Sequence, residues 1–262
     1  MGRSSWYNRD GHPLLFAHRG ASLELPENSL PAFERALQCG ADVLEMDVHM
    51  TTDRVVVVSH DASGLRMAGV DRLIAACRYA EVASWDIGTG FVDGQRQRPF
   101  AGSGYRIPTF EQVLLRFPEA LLNVDIKQST PEMTRAVVSL IERHDAQKRV
   151  LLTSFTYSTL RMLRKIGYGG PLGLSRLQVA RIVLLPTFLS RLCGVPGVRV
   201  QIPLRAGFID LSTKRVIDKM HKLGLFVDYW VVDDVTRARQ LLERGADGIV
   251  TNDPATVSQM VN

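Results

Sequence analysis

Two sets of polar residues stand out in the sequence by their spacing. Glu45 and Asp47 lie two apart at the end of an apolar run, and Asn123-Val-Asp125-Ile-Lys127 repeats the device in a later one. In an extended strand, residues two apart project to one face, so each set can aim its side chains together. Three converging carboxylates repel one another unless a cation sits among them, and an all-oxygen site suits a hard ion such as Mg²⁺ or Ca²⁺. The plainer alternative is that these acids pair with Arg or Lys at the strand ends. Two histidines close apolar runs: His18 in LLFAH and His60 in VVVVSH. An imidazole with an unperturbed pKa of about 6.5 can serve as acid or base near neutral pH. His12, His144 and His221 read as ordinary polar residues, and His49 as either a pocket or a turn residue.

The elements that must position these groups follow from periodicity. Short apolar runs at 14–18, 43–48, 121–126, 150–154, 171–175, 198–202, 225–231 and 248–251 alternate with amphipathic stretches at 29–38, 109–117, 131–144, 157–166, 177–190, 212–223, 235–244 and 254–260. Near-continuous apolar strands imply burial on both faces, as in a parallel sheet covered by helices. Eight such units predict a (β/α)8 TIM barrel in one domain, 1–262. The active site is then expected at the C-terminal ends of the strands. Residues 55–60 predict an extra strand hairpinned onto the second barrel strand. Residues 61–108, too long for an ordinary connection, predict an insertion over the barrel mouth.

Composition sets limits. The chain has 262 residues, 45% of them apolar, and a net charge of +5. That is ample for a large core. Lys and Arg are scattered rather than striped with aromatics, so nucleic acid is not an expected partner. The cysteines Cys39, Cys77 and Cys193 show no metal-ligand spacing and suit a reducing cytoplasm, packed as small hydrophobes. The N-terminus lacks the apolar core of a secretory signal, and no apolar stretch is long enough to span a membrane. The run LQVARIVLLPTFLSRLC (177–193) has two readings. It is a buried barrel helix, or a partly exposed one broken at Pro186 that makes peripheral membrane contact. On the second reading Trp85 and Phe91 are candidates to add to that surface, though nothing in their spacing demands it.

The order AHRGAS, PENSL, GADVLEMDVHMTTDRVVVVSHD, RIPTFEQVL, NVDIK, YWVVDD and GADGIVTNDP resembles the glycerophosphodiester phosphodiesterase family across about residues 14–256. That resemblance implies a metal-dependent phosphodiesterase with Glu45, Asp47 and Asp125 as metal-binding acids and His18 and His60 as catalytic histidines. It implies Arg19 and Lys127 as phosphate-holding cations, Trp230 as an aromatic pocket wall, and Glu27 and Asn28 in a supporting or polar-contact role in the PEN turn. The family's usual E-x-K is here Asp125-Ile-Lys127, which resembles the lysophospholipase D branch. The expected substrate is therefore a lysophospholipid, with small deacylated glycerophosphodiesters as the alternative and an inactive phospholipid-binding barrel as the third reading.

Overall fold

The computed structural model describes Trp6, residues 12–192 and residues 194–261. Seven parallel strands form one continuous path, in the order Val150–Thr153, Leu121–Ile126, Val43–Met50, Leu14–His18, Gly248–Thr251, Phe226–Tyr229, Arg199–Ile202. Single parallel bridges, Leu152 to Leu172 and Gly173 to Arg199, connect the two ends of that path. The expected strand 171–175 is thus reduced to two paired residues. Pro171 has no N–H to give a ladder. A Cβ on Gly173 would lie 2.7 Å from Thr153 Cγ2, so the backbone there crowds its neighbour too closely for an ordinary strand residue. Val56–Val58 pairs antiparallel with the end of Val43–Met50.

Helices cover the sheet and start where capping chemistry places them. Ser29 accepts from Ala32 N ahead of Leu30–Gln38. Thr109 and Gln112 form a capping box before Phe110–Arg116, and Thr130 with Pro131 opens Pro131–Arg143. The expected helix 177–190 is two: Arg176–Leu184 and Thr187–Leu192. Pro186, lacking an N–H, cannot continue the ladder, and Leu185 before it is extended (φ −84°, ψ 149°).

Alternation along Val43–Met50 sends Met46 and Val48 into the helix-facing core with Val124, Val137 and Leu152, and leaves Glu45 and Asp47 for the barrel side. At the opposite end of the strands, Trp6 packs with Leu14, Phe16 and Val250. A fully buried ion pair, Arg199 with Asp228, crosses the interior of the sheet. Residues 61–108 carry a small core of their own, in which Ile74, Val82, Trp85 and Ile87 pack on Val57. Trp85 and Phe91, candidates for an exposed apolar surface, are therefore buried. Cys77 is buried and Cys39 partly exposed, both as free thiols, and Cys193 lies outside the described residues.

Candidate active site

Register brings the chemistry together at the strand C-termini. His18 is the pairing partner of Glu45, Asp47 of Asp125, and Asp125 of Thr153. Neighbouring parallel strands lie about 4.8 Å apart, so these side chains crowd one patch. There a cavity of about 220 Å³ is lined by His18, Arg19, Glu45, Asp47, His60, Asp125, Lys127 and Trp230, with Phe155, Arg176 and Gln201 on its far wall. Glu27 and Asn28 do not line it. They sit behind its wall around a small adjoining space that His60 also borders.

The turn after the first strand explains Arg19-Gly20. Arg19 adopts a left-handed conformation (φ 58°), and its N–H donates to Glu45, to both the backbone oxygen and Oε2 at 3.0 Å. Gly20 follows at φ 86°, where a Cβ would fall 2.7 Å from the carbonyl carbon of Ala32. Only glycine permits the first helix to pack so close to this turn. Asn28 is also left-handed (φ 56°), a conformation asparagine tolerates, and its Nδ2 donates to Asp47 Oδ2 at 3.3 Å.

Each histidine is oriented by a neighbour. His18 Nδ1 lies 2.7 Å from Asn252 Oδ1, which can only accept. That fixes the proton on Nδ1 and leaves Nε2 as a base. Asn252 is itself held by Asp233, which accepts from its N–H at 2.7 Å and from Nδ2 at 2.9 Å. Burial, then the Arg19 charge, lowers the His18 pKa, so the ring is neutral at neutral pH. His60 Nδ1 donates to Asp61 Oδ1 at 2.7 Å. Asp61 accepts from Arg66 Nε at 2.5 Å, and Arg66 Nη2 reaches Glu27 Oε1 at 2.6 Å. Glu27 in turn accepts from Arg19 Nη1 at 3.1 Å. The two histidine-bearing turns are therefore tied through one chain of charges that passes through residues 61–108. His49, by contrast, is buried with Nε2 donating to His60 O at 3.2 Å and does not reach the cavity. His144 and His221 pair with Glu111 and Asp247.

Asp47 and Asp125 already have a counter-charge. Lys127 Nζ sits 2.8 Å from Asp47 Oδ1 and 2.6 Å from Asp125 Oδ2, and Arg19 Nε lies 3.2 Å from Asp47 Oδ2. The arrangement realises the plainer alternative raised by the sequence, in which these acids pair with a basic side chain at the strand ends. Lys127 extends back along its own strand end and supplies the cation. Among the described residues, no three His, Cys, Asp or Glu side chains stand grouped as a metal site. The electrostatics divide the acids. Burial opposes ionisation of Asp47, but Lys127 and Arg19 outweigh it and hold its pKa below the usual range. Burial raises Asp125 despite Lys127, and burial reinforced by Asp47 raises Glu45 much further. Asp47 and Asp125 hold the Lys127 ammonium firmly protonated against its own burial. Glu45, Asp47 and Asp125 offer oxygen donors only, and Asp125 Oδ1 is buried without a hydrogen-bond partner. In chemical kind this donor set fits a hard divalent cation.

Several residues at the site were missed in the sequence. Asn252 and Asp233 were not singled out, although both sit just beyond apolar strands, where a barrel exposes polar residues. Phe155 gave no sequence signal, and Arg176 stood out only as a basic border to the apolar run 177–193. Their pairing is a tertiary one: the Arg176 guanidinium lies 4.2 Å from the Phe155 ring centroid, and Phe155 meets Trp230 edge-on at 6.0 Å. Beyond these rings a second, apolar cavity of about 350 Å³ opens.

A neutral base, a second imidazole and three cations, Arg19, Lys127 and Arg176, around one cavity are suited to general acid–base cleavage of an anionic ester. On a parallel α/β sheet, that equipment is of the kind a phosphate-ester hydrolase would use. Comparison with known proteins narrows the class. Residues 18–256 match the glycerophosphoryl diester phosphodiesterase family. The chain belongs to that family and is a phosphoric diester hydrolase. It is 29% identical to the glycerophosphodiester phosphodiesterase of Caldanaerobacter subterraneus subsp. tengcongensis, over 95% of this chain and 97% of that one. It is 27% identical to the lysophospholipase D GDPD1 of Rattus norvegicus, over 94% of this chain and 85% of the relative. Its fold is shared with an Oleispira antarctica phosphodiesterase solved with the product sn-glycerol-3-phosphate. The TM-score is 0.80 at 23% identity, covering 98% of this chain and 99% of that one.

Proposed function

We propose that the protein is a metal-dependent phosphodiesterase that cleaves lysophospholipids to lysophosphatidic acid and the head-group alcohol. The catalytic domain of this reading is a single (β/α)8 barrel, 1–262, with the Val56–Val58 strand as its extra hairpin and 61–108 as its insertion. One observation carries the chemistry. His18 and His60 arrive from different strands at a cavity that also holds Arg19, Lys127 and three carboxylates.

In this reading Arg19 and Lys127 hold the phosphodiester anion, the guanidinium with two oxygens at once. His18 Nε2 takes the proton from the glycerol hydroxyl next to the phosphate. The freed oxygen bonds to phosphorus, the bond to the head-group oxygen breaks, and His60 gives that oxygen its proton. The cyclic phosphate left behind is opened by water, with the two imidazoles exchanging roles. Glu45, Asp47 and Asp125 would hold Mg²⁺ or Ca²⁺, which supplies Lewis acidity toward the phosphoryl oxygens. Trp230 walls the pocket, and Glu27 and Asn28 support it by holding Arg19 and Asp47.

The preference for a lipid is supported by the helix pair over 176–192. Leu177, Leu184, Phe188 and Leu192 are all exposed, with Arg176, Arg181 and Arg191 along the same segment. An apolar surface edged by arginines suits peripheral contact with an anionic bilayer, here through 177–193. No helix among the described residues is long and apolar enough to cross a membrane. This reading places the protein in the cytoplasm at the membrane surface. Small glycerophosphodiesters, cleaved to glycerol 3-phosphate and an alcohol, are the second reading, favoured by the name of the first relative. Incubation with lysophosphatidylcholine and glycerophosphocholine, with and without EDTA, tests both, with products identified by mass. The expected result is lysophosphatidic acid and choline, abolished by EDTA and restored by Mg²⁺ or Ca²⁺. Hydrolysis indifferent to EDTA refutes the metal, and no hydrolysis of either substrate refutes the function.

A further inference from the structure

The catalytic cavity and the apolar cavity beside it share their dividing wall: Phe155, Leu174, Arg176, Gln201 and Trp230 line both. Past this wall the lining changes character. The helix Arg176–Leu184 contributes Val179 with Val183, and Ala180 with Leu184, two columns at i, i+4 spacing on one side. Facing them are Ile202 at the end of its strand, Leu211, and Ala206 and Ile209 from the short antiparallel pair Arg205–Ala206 and Ile209–Asp210. A groove of about 350 Å³ walled this way has few polar partners for water. Its outer end is bordered by the same hairpin, whose Phe208 is fully exposed.

We infer that this groove receives the acyl chain of a single-chain phospholipid whose phosphate lies in the catalytic cavity, the glycerol crossing the Phe155–Trp230 edge between them. The inference rests on the phosphodiesterase reading and adds a recognition site to it. Continuity chooses the occupant. A ligand entering from the catalytic cavity must carry an anionic head at one end and an alkyl segment at the other, in that order. A peptide or a planar aromatic compound gives no account of a polar cavity adjoining an apolar one across five shared residues. Arg176 lines both cavities, its guanidinium stacked on Phe155, and so stands at the point where polar meets apolar. Val183 and Ala206, on opposite walls, line only the apolar groove and are therefore the residues that set how much chain it can take.

The test uses lysophosphatidylcholines of increasing acyl length, kept monomeric, with glycerophosphocholine as reference. Wild-type kcat/KM is expected to rise roughly three- to four-fold per methylene until the groove is full, then level off. Val183→Trp and, on the other wall, Ala206→Trp should each cut the long-chain to reference ratio about ten-fold or more and move the plateau to shorter chains. A circular-dichroism spectrum and Tm like the wild type's identify which variants have folded. A wild-type rate flat in chain length, with glycerophosphocholine cleaved, overturns the groove and leaves the phosphodiesterase standing. So does a folded variant in either wall that keeps the wild-type length profile. Calorimetric Kd values for alkylphosphocholines, which lack the glycerol hydroxyl, give a readout independent of turnover. Affinity that rises with length and is lost in Val183→Trp supports the groove even if no substrate is cleaved; affinity indifferent to both overturns it.

Discussion

Replacing Asn252 with Leu removes the acceptor of His18 Nδ1 while keeping most of the side-chain volume. The structure indicates a cost that is kinetic rather than one of folding. Asp233, the residue holding Asn252, is exposed, so water replaces its lost partner. Ser22 Oγ, which also donates to Asn252 Oδ1, keeps its bond to His18 O at 2.8 Å. Loss of one neutral hydrogen bond of about 0.5–1.5 kcal/mol corresponds to roughly 2- to 13-fold in rate. Inversion of the tautomer, which would put the proton on the nitrogen that must be basic, costs up to about 10⁴-fold in comparable imidazoles. The expected fall in kcat lies between these, about 10- to 1000-fold, with KM little changed. The pH profile gives an independent check. The bond to Asn252 raises the His18 pKa, against the larger effect of burial. Removing it lowers that pKa further, so the acid limb of kcat/KM should move to lower pH while the plateau falls. A variant within two-fold of wild-type kcat, or one whose acid limb moves upward, would falsify the assignment of Nε2 as the base.

His18→Ala and His60→Ala should each lower kcat by several orders of magnitude, measured by choline release; retained activity in either removes that residue from the chemistry. Arg199→Met leaves Asp228 fully buried without its cation and should cost about 3–5 kcal/mol, roughly 6–20 °C in Tm by calorimetry. The pair Arg199→Met with Asp228→Leu should recover much of that loss, and additive losses would contradict the argument. Glu27→Gln should remove an acid-sensitive part of stability. The folded pKa of Glu27 is depressed below 4.5: burial opposes this, but Arg66 and Arg19 prevail. Its contribution is thus present above the unfolded value and lost as pH falls through the folded one, so the wild-type advantage in urea unfolding should shrink below about pH 4. Gly20→Ala should cost about 1–2 kcal/mol for the left-handed backbone alone, more with the contact to Ala32. A Tm unchanged in that variant would show that the turn has another conformation open to it.

The strands were legible because a buried parallel sheet writes itself as short apolar runs, and the i, i+2 acids were legible because pleating is local. Glu45, Asp47 and Asp125 fall on one cavity for that reason, as does His18, whose strand ends beside Glu45. What could not be read was whatever depends on partners distant in sequence. Nothing near position 252 announces that its carboxamide meets His18, 234 residues earlier in the chain. Nothing near Arg66 announces that it bridges Asp61 to Glu27. Lys127 was correctly seen as a cation on the acids' face, yet its range of motion let it fold back between Asp47 and Asp125, which spacing alone does not predict. The aromatic residues of the 61–108 segment were misjudged because periodicity says nothing about a core assembled from irregular turns. The strand at 171–175 failed where Pro and Gly overrode an apolar pattern.

The charge inventory of the cavity ties substrate capture to the proposed metal. Arg19 and Lys127 are the cations beside the carboxylates, yet Lys127 is engaged by Asp47 and Asp125, and Arg19 by Glu27 and Asp47. An anion arriving at the site so arranged must compete with carboxylates at hydrogen-bonding distance, in surroundings where such pairs are strong. Were a divalent cation held by Glu45, Asp47 and Asp125, the same carboxylates would have less hold on Lys127 and Arg19, leaving those charges freer for the phosphate. Glu45 has the most to change: burial, then Asp47, raises its pKa well above the usual range, and a hard cation would favour its charged form. The lysine that makes the acids tolerable without an ion is thus the group released when an ion takes its place. On this argument metal and substrate bind with positive coupling although each is charged and the site is small, because the cation held in reserve is spent only once.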